Sequence, residues 1–400
     1  MTAAAWVVLV GLGVPVYSYL LYPVVLFCLA SAVQTLRDLY YLFSRRERRI
    51  KSERVPAVSI IIAAYDEEDY IGRTLSHCLA LNYPAGRLEV IVGSDGSRDN
   101  TVRTARHYER EGIRVIEFPY RRGKLPVMKD CIERSSGEIL VFCDANTILE
   151  PDAVARLVRH FDEPDVGAVC GELKFLSEDG ELGEEGVYWR YEVILKTLEN
   201  RLNAVLGANG AIYALRRDLW PEVPDGLITE DFVIPMKVRR QGHRVVYDPE
   251  AVATEEPSAS LTEELRRKMR IGAGNLQALR HCAGLLMPWR GFVAFSFWSH
   301  KVFRWMTPFL LAAALVASFL LAARPGWQLV LVVQLAFYAA ATMGGLLRLT
   351  RLRSGPLGAA WYFLAVNLAL ALGLLRGLVR AQKTTWRKAG RRPLTTRDER

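Results

Sequence analysis

Residues 58–68 read VSIIIAAYDEE, an apolar, β-branched run that ends abruptly in polar and acidic side chains. Four further short apolar runs follow at 88–92, 115–118, 139–142 and 166–170, separated by helix-like stretches at 68–81, 99–111, 124–135 and 151–161. Strands that are buried on both faces are apolar without alternation, and alternating strands and helices build parallel sheets. The pattern therefore predicts an α/β unit with a doubly wound, mostly parallel sheet.

Long apolar stretches flank this unit on both sides. Residues 1–36 carry no charged side chain, and three further stretches lie between Arg304 and Arg324, between Arg324 and Arg348, and between Ser354 and Arg376. Each C-terminal stretch would measure about 30 Å as a helix, the thickness of a bilayer core. The first would measure about 54 Å, so we expect one crossing plus a cytosolic extension. No small-residue cleavage site stands out before Arg37, which indicates a retained anchor.

The chain thus divides into five predicted parts. They are an N-terminal transmembrane helix with a basic juxtamembrane segment (1–51), a cytosolic α/β domain (52–260), interfacial amphipathic helices (261–303), C-terminal transmembrane or re-entrant helices (304–380) and a basic cytosolic tail (381–400). Basic segments prefer the cytoplasm, yet a single crossing separates the basic loop at 348–353 from the basic tail. We therefore favour a re-entrant or interfacial position for Pro356–Leu375.

The net charge of +9 is concentrated beside the apolar stretches. Residues 37–54 hold seven basic and three acidic side chains, and residues 376–400 hold nine and two. Charge in these positions suits an anionic membrane surface and argues against a nucleic-acid partner. The six cysteines form no C-x-x-C pair and show no zinc spacing, so we expect reduced thiols.

Polar side chains follow the predicted strands at the edge where such sheets bind ligands. Asp95 follows the second strand, where a plain turn before a helix capped by Asp99 is the alternative. Asp144 and Asn146 follow the fourth strand. Two oxygen ligands at alternate positions can share one hard cation, although D-x-N is also a common turn sequence.

Three more groups of residues are candidates for catalysis or ligand binding. Glu230 and Asp231 precede a predicted helix that runs to about Arg240, where acids serve either as a general base or as partners of the helix dipole. Arg267 and Arg270 lie in a basic stretch. Arginine binds diphosphate through its bidentate fork, or else faces solvent or lipid. Lys124 follows the third strand and either reaches a phosphate or caps a helix.

In this order, the motifs resemble those of the membrane-embedded family-2 glycosyltransferases, a GT-A-type group that includes cellulose, hyaluronan and chitin synthases and ceramide glucosyltransferases. The resemblance covers residues 55 to about 310, and weakly the tail. It implies an inverting enzyme that transfers a sugar from a nucleotide sugar, with UDP as the implied carrier, to a growing polysaccharide or a lipid-linked acceptor. It also implies a bacterial-type inner or plasma membrane location with the catalytic domain in the cytoplasm.

The resemblance assigns roles residue by residue. Asp231 is the implied catalytic base, with Glu230 beside it and Arg270 stabilising the departing diphosphate. Nucleotide-sugar binding falls to Ala64, Tyr65, Glu67, Asp95, Lys124 and Asp144. Asp144 and Asn146 are the implied ligands of Mg or Mn. Acceptor binding falls to Asn209, Gly210 and Arg267, and the tail around Trp386 resembles a gating segment.

Two positions depart from the family pattern. Asn146 stands where the family has a second acid, which weakens metal binding, and Ile271 stands where it has the tryptophan that stacks on the acceptor sugar. Two alternatives therefore stay open, a single-addition glycolipid synthase and a non-catalytic nucleotide-binding membrane scaffold. A nucleotide-cofactor oxidoreductase is disfavoured because no G-x-G-x-x-G follows the first strand. The sequence names no protein partner.

Overall fold

The centre of the molecule is an eight-stranded sheet. The computed structural model describes residues 1–44, 55–176, 184–258, 260–350 and 355–379. Its strands are β1 (Val58–Ala64), β2 (Leu88–Asp95), β3 (Arg114–Phe118), β4 (Ile139–Asp144), β5 (Ile148–Leu149), β6 (Val166–Phe175), β7 (Tyr213–Arg216) and β8 (Arg244–Glu255). They are arranged in the order β3-β2-β1-β4-β7-β6-β8-β5. The first four strands pair in parallel, whereas β7 is antiparallel to β4 and β6.

Helices cover both faces of the sheet. They are α3 (Ile71–Leu79), α4 (Thr101–His107), α5 (Lys124–Glu133), α6 (Ala153–Val158), α7 (Glu184–Arg201) and α8 (Glu230–Arg240). All seven residues of β1 are buried, with Ile61 facing one core and Ile60 and Ile62 facing the other. This explains the apolar runs without alternation. The predicted doubly wound, mostly parallel α/β fold is confirmed.

The sequence analysis did not predict three of the strands, β5, β7 and β8. β5 and β7 are two and four residues long, which is too short for a hydrophobic period to be recognised. β8 spans 12 residues but contains the polar segment Asp248-Pro249-Glu250. All three make antiparallel or long-range pairings that a local pattern does not report.

The N-terminal anchor is one long helix with a π-helical turn. The segments α1 (Ala3–Val16) and α2 (Tyr22–Ser44) continue into one another through the π-turn Tyr17–Leu21. At 42 residues the helix is about 63 Å long, roughly twice a bilayer core. Its second half extends beyond such a core and packs Leu26 and Ala30 against Leu195 and Leu198 of α7.

The C-terminal region contains the amphipathic helix α9 (Leu261–Cys282) and then three apolar helices. The first of these combines α10 (Phe292–Ser296), the π-turn Phe297–Val302 and α11 (Phe303–Leu320) into 29 continuous residues. The others are α12 (Trp327–Leu349) and α13 (Gly355–Leu378). With the N-terminal helix, four helices in the described part of the chain are long and apolar enough to cross a membrane.

The aromatic stretch before residue 303, which the sequence analysis assigns to the interfacial part, forms the first third of the helix Phe292–Leu320, which continues through the π-turn Phe297–Val302. Its interfacial position stays a prediction. The amphipathic stretch from Leu261 is a helix of its own. The basic segments 45–54 and 381–400, including Trp386, lie outside the described residues.

Helices α9 and α13 pack closely through small residues. Gly373 lies against Met269 and Gly272, and Gly377 lies against Ala273. An added Cβ at Gly373 would come within 2.1 Å of the Met269 carbonyl oxygen, so only glycine allows this approach. The re-entrant or interfacial position of Pro356–Leu375 stays a prediction.

Candidate active site

The loops after β1, β2 and β3 form one wall of the site. The Asp95 side chain is buried, and its two carboxylate oxygens accept hydrogen bonds from the backbone N–H groups of Arg122 and Gly123 at 2.6 and 2.8 Å. At Gly96, which has a φ of +69°, an added Cβ would lie 2.8 Å from the Arg121 nitrogen. Asp95 therefore holds the loop that leads into α5, and its predicted contact with the nucleotide stays a prediction.

The β1 loop contributes an aromatic surface. The Arg121 guanidinium lies over the Tyr65 ring at 3.6 Å from its centroid. Ala64 is buried at the end of β1, and the Glu67 backbone N–H donates to the Thr101 hydroxyl at 2.7 Å. These contacts fasten the β1 loop to the β2 and β3 loops. The binding of the nucleotide sugar by Ala64, Tyr65 and Glu67 stays a prediction.

Lys124 occupies the centre of the site. Its Nζ lies 2.6 Å from Asp144 Oδ1 and 2.8 Å from Glu230 Oε1. Burial lowers the pKa of Lys124, but the charges of Asp144 and Glu230 outweigh burial, so this pKa lies well above its ordinary range. The ammonium is therefore a fixed positive charge that joins the end of β4 to the start of α8.

Asp231 follows Glu230 in the first turn of α8. Burial, and next the charge of Glu230, raise the pKa of Asp231 to about 6, although Lys124 acts in the opposite direction. The Asp231 side chain also accepts the N–H of Phe232 at 3.0 Å, and its carbonyl oxygen accepts the N–H of Ala208 at 2.9 Å. A half-buried carboxylate with a pKa near neutrality is suited to accept a proton from a substrate hydroxyl.

Two of the three predicted acceptor residues make contacts within the protein, and their acceptor binding stays a prediction. The Asn209 amide donates to the Gly171 carbonyl and accepts the N–H of Ile212, both at 3.1 Å. Arg267 forms an ion pair of 2.8 Å with Glu264 on its own helix. Gly210, in contrast, borders the site, since an added Cβ would lie 3.3 Å from both Asp144 Oδ2 and Lys124 Nζ.

We expect Gly210→Ala to lower the catalytic rate of the site about tenfold, because the new methyl group would displace the Lys124 and Asp144 side chains by a few tenths of an ångström. Initial rates at saturating donor measure this effect. Gly284→Ala is the matched control, since its Cβ would meet nothing within 4 Å. Equal activity of the two variants would contradict the proposed closeness of Gly210 to the reacting groups.

Helix α9 carries Arg270 and packs on the loop that precedes Glu230 and Asp231. Gly274 packs on Thr229, the residue before Glu230, and Gln277 bonds both the N–H of Ile228 and the carbonyl oxygen of Gly226 at 2.9 Å. Arg270 lies one turn before Gly274, and residues four apart share a helix face. Helical spacing therefore predicts that Arg270 shares the face of α9 that meets the loop before Asp231, and its contact with a diphosphate stays a prediction.

The residues predicted to bind metal fit a cation shared with a ligand. No group of three or more His, Cys, Asp or Glu side chains in the described part of the chain is arranged to hold a metal ion. Asp144 ends β4, and Asn146 lies buried two residues later. Mg²⁺ in proteins often takes only one or two carboxylates and completes its shell with water and substrate phosphate. One carboxylate and one amide oxygen meet that requirement.

The sequence analysis missed two features of the site. Tyr213 of β7 is buried beneath it, stacks on Phe142 with centroids 4.6 Å apart, and has a hydroxyl without a hydrogen-bond partner among the described residues. Burial, with the charge of Glu230, raises the pKa of Tyr213 well above its ordinary range. Phe232, next to Asp231, contacts the rings of Phe297 and Trp305. Neither could be found from local patterns, because β7 was unassigned and the aromatic contacts join distant segments.

Comparison with known proteins was made for both sequence and structure. A family model described as "Glycosyltransferase like family 2" matches residues 56–274. The chain is 26% identical over 252 residues to a poly-beta-1,6-N-acetyl-D-glucosamine synthase of Staphylococcus epidermidis, covering 59% of this chain and 60% of that protein. A Staphylococcus aureus protein of the same name is 27% identical over 229 residues, covering 54% and 55%. The chain therefore matches less than two thirds of the length of these relatives.

Among solved structures, the mannosyltransferase PcManGT from Pyrobaculum calidifontis, in complex with GDP-Man and Mn²⁺, aligns with a TM-score of 0.64. The alignment covers 90% of this chain and 99% of that one at 20% sequence identity. This similarity extends over the apolar helices as well as the α/β unit, and it concerns the fold.

Proposed function

Because this chain belongs to the glycosyltransferase-like family 2 and is a glycosyltransferase, we propose that it transfers a sugar from a UDP-linked donor to a hydroxyl group, with inversion, in a single displacement. The observation that carries the proposal is the position of Asp231. Its half-buried carboxylate, with a pKa of about 6, stands beside the Lys124, Asp144 and Glu230 network at the carboxyl end of β4. Ligands bind at this edge of an open α/β sheet.

In the proposed mechanism, Asp231 removes the proton of the acceptor hydroxyl as that oxygen attacks the anomeric carbon. The bond to the diphosphate breaks on the opposite side, so an α-linked donor gives a β-linked product. Arg270 and Lys124 supply positive charge for the departing diphosphate. Asp144 and Asn146 would hold Mg or Mn, which supplies further charge neutralisation at the diphosphate when bound.

We propose a growing polysaccharide as the acceptor, because the curated relatives are named as synthases of a poly-N-acetylglucosamine. Ile271, which replaces the tryptophan of the family motif, supports the alternative of a single addition to a lipid. The basic flanks of the apolar stretches favour a catalytic domain on the cytoplasmic side of the membrane.

The experiment is incubation of the purified full-length protein in bilayers with a panel of labelled UDP-sugars, with Mn²⁺ or Mg²⁺. A ladder or high-mass product that resists organic extraction supports the polymer. One extractable species supports the glycolipid. Binding of UDP without transfer or hydrolysis of any donor would overturn the proposed enzyme activity in favour of a scaffold.

The pKa of Asp231 also predicts a pH dependence. The base acts only as the carboxylate, which dominates above a pKa of about 6 and is lost as the pH falls through that value. We therefore expect kcat/KM to rise about tenfold per pH unit below 6 and to level off above it, because kcat/KM reports ionisation in the free enzyme. A profile that is flat from pH 4.5 to 8 would contradict Asp231 as the base.

A further inference from the structure

A cluster of buried charged residues joins the α/β unit to the apolar helices, away from the residues of the reaction. We define this junction cluster as Glu192 and Glu199 of α7 together with His300, Lys301 and Arg304 of the helix Phe292–Leu320. Glu199 and His300 are 0% and 1% exposed, and Glu192 and Arg304 are 7% and 5% exposed. Charged groups this deeply buried are costly unless they are paired, so their presence calls for an explanation.

Glu192 and Glu199 of α7 bind the same imidazole. His300 Nδ1 lies 2.6 Å from Glu199 Oε1, and His300 Nε2 lies 3.0 Å from Glu192 Oε2. Arg304 approaches Glu192 Oε1 at 2.6 Å, and Lys301 approaches Oε2 of the same residue at 3.3 Å. Burial raises the pKa of Glu192, but Lys301 and His300 outweigh burial, so this pKa lies well below its ordinary range.

The two apolar helices that meet here both contain π-turns at this level. Ser18, in the π-turn of the N-terminal helix, donates its hydroxyl to the Ser299 carbonyl at 2.6 Å. The Tyr19 carbonyl accepts the hydroxyl of Tyr191 at 2.9 Å, and Tyr22 donates to Glu199 at 2.9 Å. A π-turn frees backbone carbonyls and is often found at functional positions. Here the Tyr19 carbonyl oxygen binds Tyr191 of α7, and the Ser299 carbonyl oxygen binds Ser18 of the N-terminal helix.

The first connection to the active site runs through the end of α7. Downstream of this helix, Gly207 (φ of +70°) packs on Phe232, where an added Cβ would lie 2.6 Å from the ring. The next residue, Ala208, donates to the carbonyl oxygen of Asp231, and Gly210 borders Lys124 and Asp144. A displacement of α7 would therefore move the backbone that holds the base.

The second connection runs through the helix that carries His300 and Arg304. Phe297 and Trp305 lie on this helix, and their rings contact Phe232 with centroids 5.7 and 6.2 Å apart. Phe232 directly follows Asp231. The junction cluster thus reaches the base from two sides, by the backbone through α7 and by aromatic packing through the apolar helix.

We propose that the junction cluster is a positioning unit, which fixes Asp231 and residues 207–210 relative to the apolar helices so that an acceptor held at the membrane meets the base. The inference rests on the proposed function. Glu192 and His300 do not touch the reacting groups in this scheme. They act through α7 and through Phe232. A misplacement of about 1 Å can cost about 100-fold in rate, so a distant cluster can control the transfer step.

The test compares three activities of the Glu192→Gln variant in bilayers with those of the wild-type protein. We expect transfer to the acceptor to fall about 10- to 100-fold. Affinity for UDP should change less than about twofold, because the β1, β2 and β3 loops are separate from the cluster. Donor hydrolysis should fall much less than transfer, because water needs no alignment with the membrane helices.

A double variant distinguishes the loss of positioning of Asp231 from a loss of thermal stability. Glu192→Gln with Arg304→Gln removes one charge of each sign, so thermal stability should return toward the wild-type value while the ratio of transfer to hydrolysis stays low. Glu89→Gln is the control, because Glu89 of β2 is bound by Ser59 and Ser136 and makes no contact with the junction cluster among the described residues.

Two results would overturn the inference. One is an equal loss of transfer, hydrolysis and UDP affinity in Glu192→Gln, and the other is recovery of transfer together with stability in the double variant. Failure of the proposed function would look different, because the wild-type protein itself would then turn over no donor.

Discussion

Asp231→Asn is expected to lower kcat for sugar transfer by about 10²–10⁴, the usual share of general-base catalysis. The amide has the size of the carboxylate and its oxygen can still accept the N–H of Phe232, but it has no basicity. The fold and the UDP site should therefore persist, and affinity for UDP should stay within about twofold of the wild-type value. Transfer rates and UDP titrations measure the two effects.

Asp248→Asn provides the matched control for this prediction. Asp248 is a buried carboxylate bound by Arg159 and His160, so the substitution also removes a buried negative charge but does so outside the candidate site. It should lower stability and leave kcat of the folded fraction unchanged. Near-normal turnover by Asp231→Asn would remove Asp231 from the mechanism and leave Glu230 as the next candidate.

Lys124→Met is expected to lower kcat by about 10²–10³, the typical effect of removing one preorganised electrostatic partner. Methionine has nearly the length of lysine but no charge, so Asp144 and Glu230 would lose the ammonium that lies 2.6 and 2.8 Å from them. The pKa of Asp231 should then rise further, because Lys124 is the positive charge that lowers it. The acidic limb of the pH profile should move to higher pH.

The same variant has a readout that does not depend on turnover. With the ammonium gone, the carboxylates of Asp144 and Glu230 attract a divalent cation more strongly, so the variant should bind Mn²⁺ more tightly than the wild-type protein in the absence of donor. Lys129→Met is the control, because Lys129 lies on the same helix and pairs with the exposed Asp225. Unchanged Mn²⁺ affinity in Lys124→Met would contradict the bridging role of Lys124.

Local sequence patterns identified most of the fold. The five apolar runs from residue 58 to residue 170 became strands, and the GT-A-type arrangement with apolar helices at both ends of the chain is confirmed. This succeeded because burial on both faces of a parallel strand leaves a run of apolar residues that is visible without any tertiary information. The short antiparallel strand β7 leaves no such signal, so Tyr213 beneath the site was missed.

Position after a strand or at the start of a helix made the site residues candidates, and the resemblance to the family assigned their roles. Asp144, Glu230, Asp231 and Lys124 all follow strands or begin helices at the edge where ligands bind, and the structure brings these four together. Asp95 shows the limit of this reasoning, since its position after β2 is the same whether it binds a nucleotide or the backbone of Arg122 and Gly123. Position alone does not reveal which partner a carboxylate takes.

The alternation of strands and helices along the chain, the polar residues that follow the strands and the apolar anchors follow from periodicity and composition, because these are properties of neighbouring residues. The bridge made by Lys124, the loop contacts of Asn209 and the junction cluster around His300 exist only in the folded chain. Each joins segments far apart in the sequence, and the pKa of Asp231 depends on the burial and charges that this assembly creates. A buried charge is stable only with its partners, and folding alone brings those partners together.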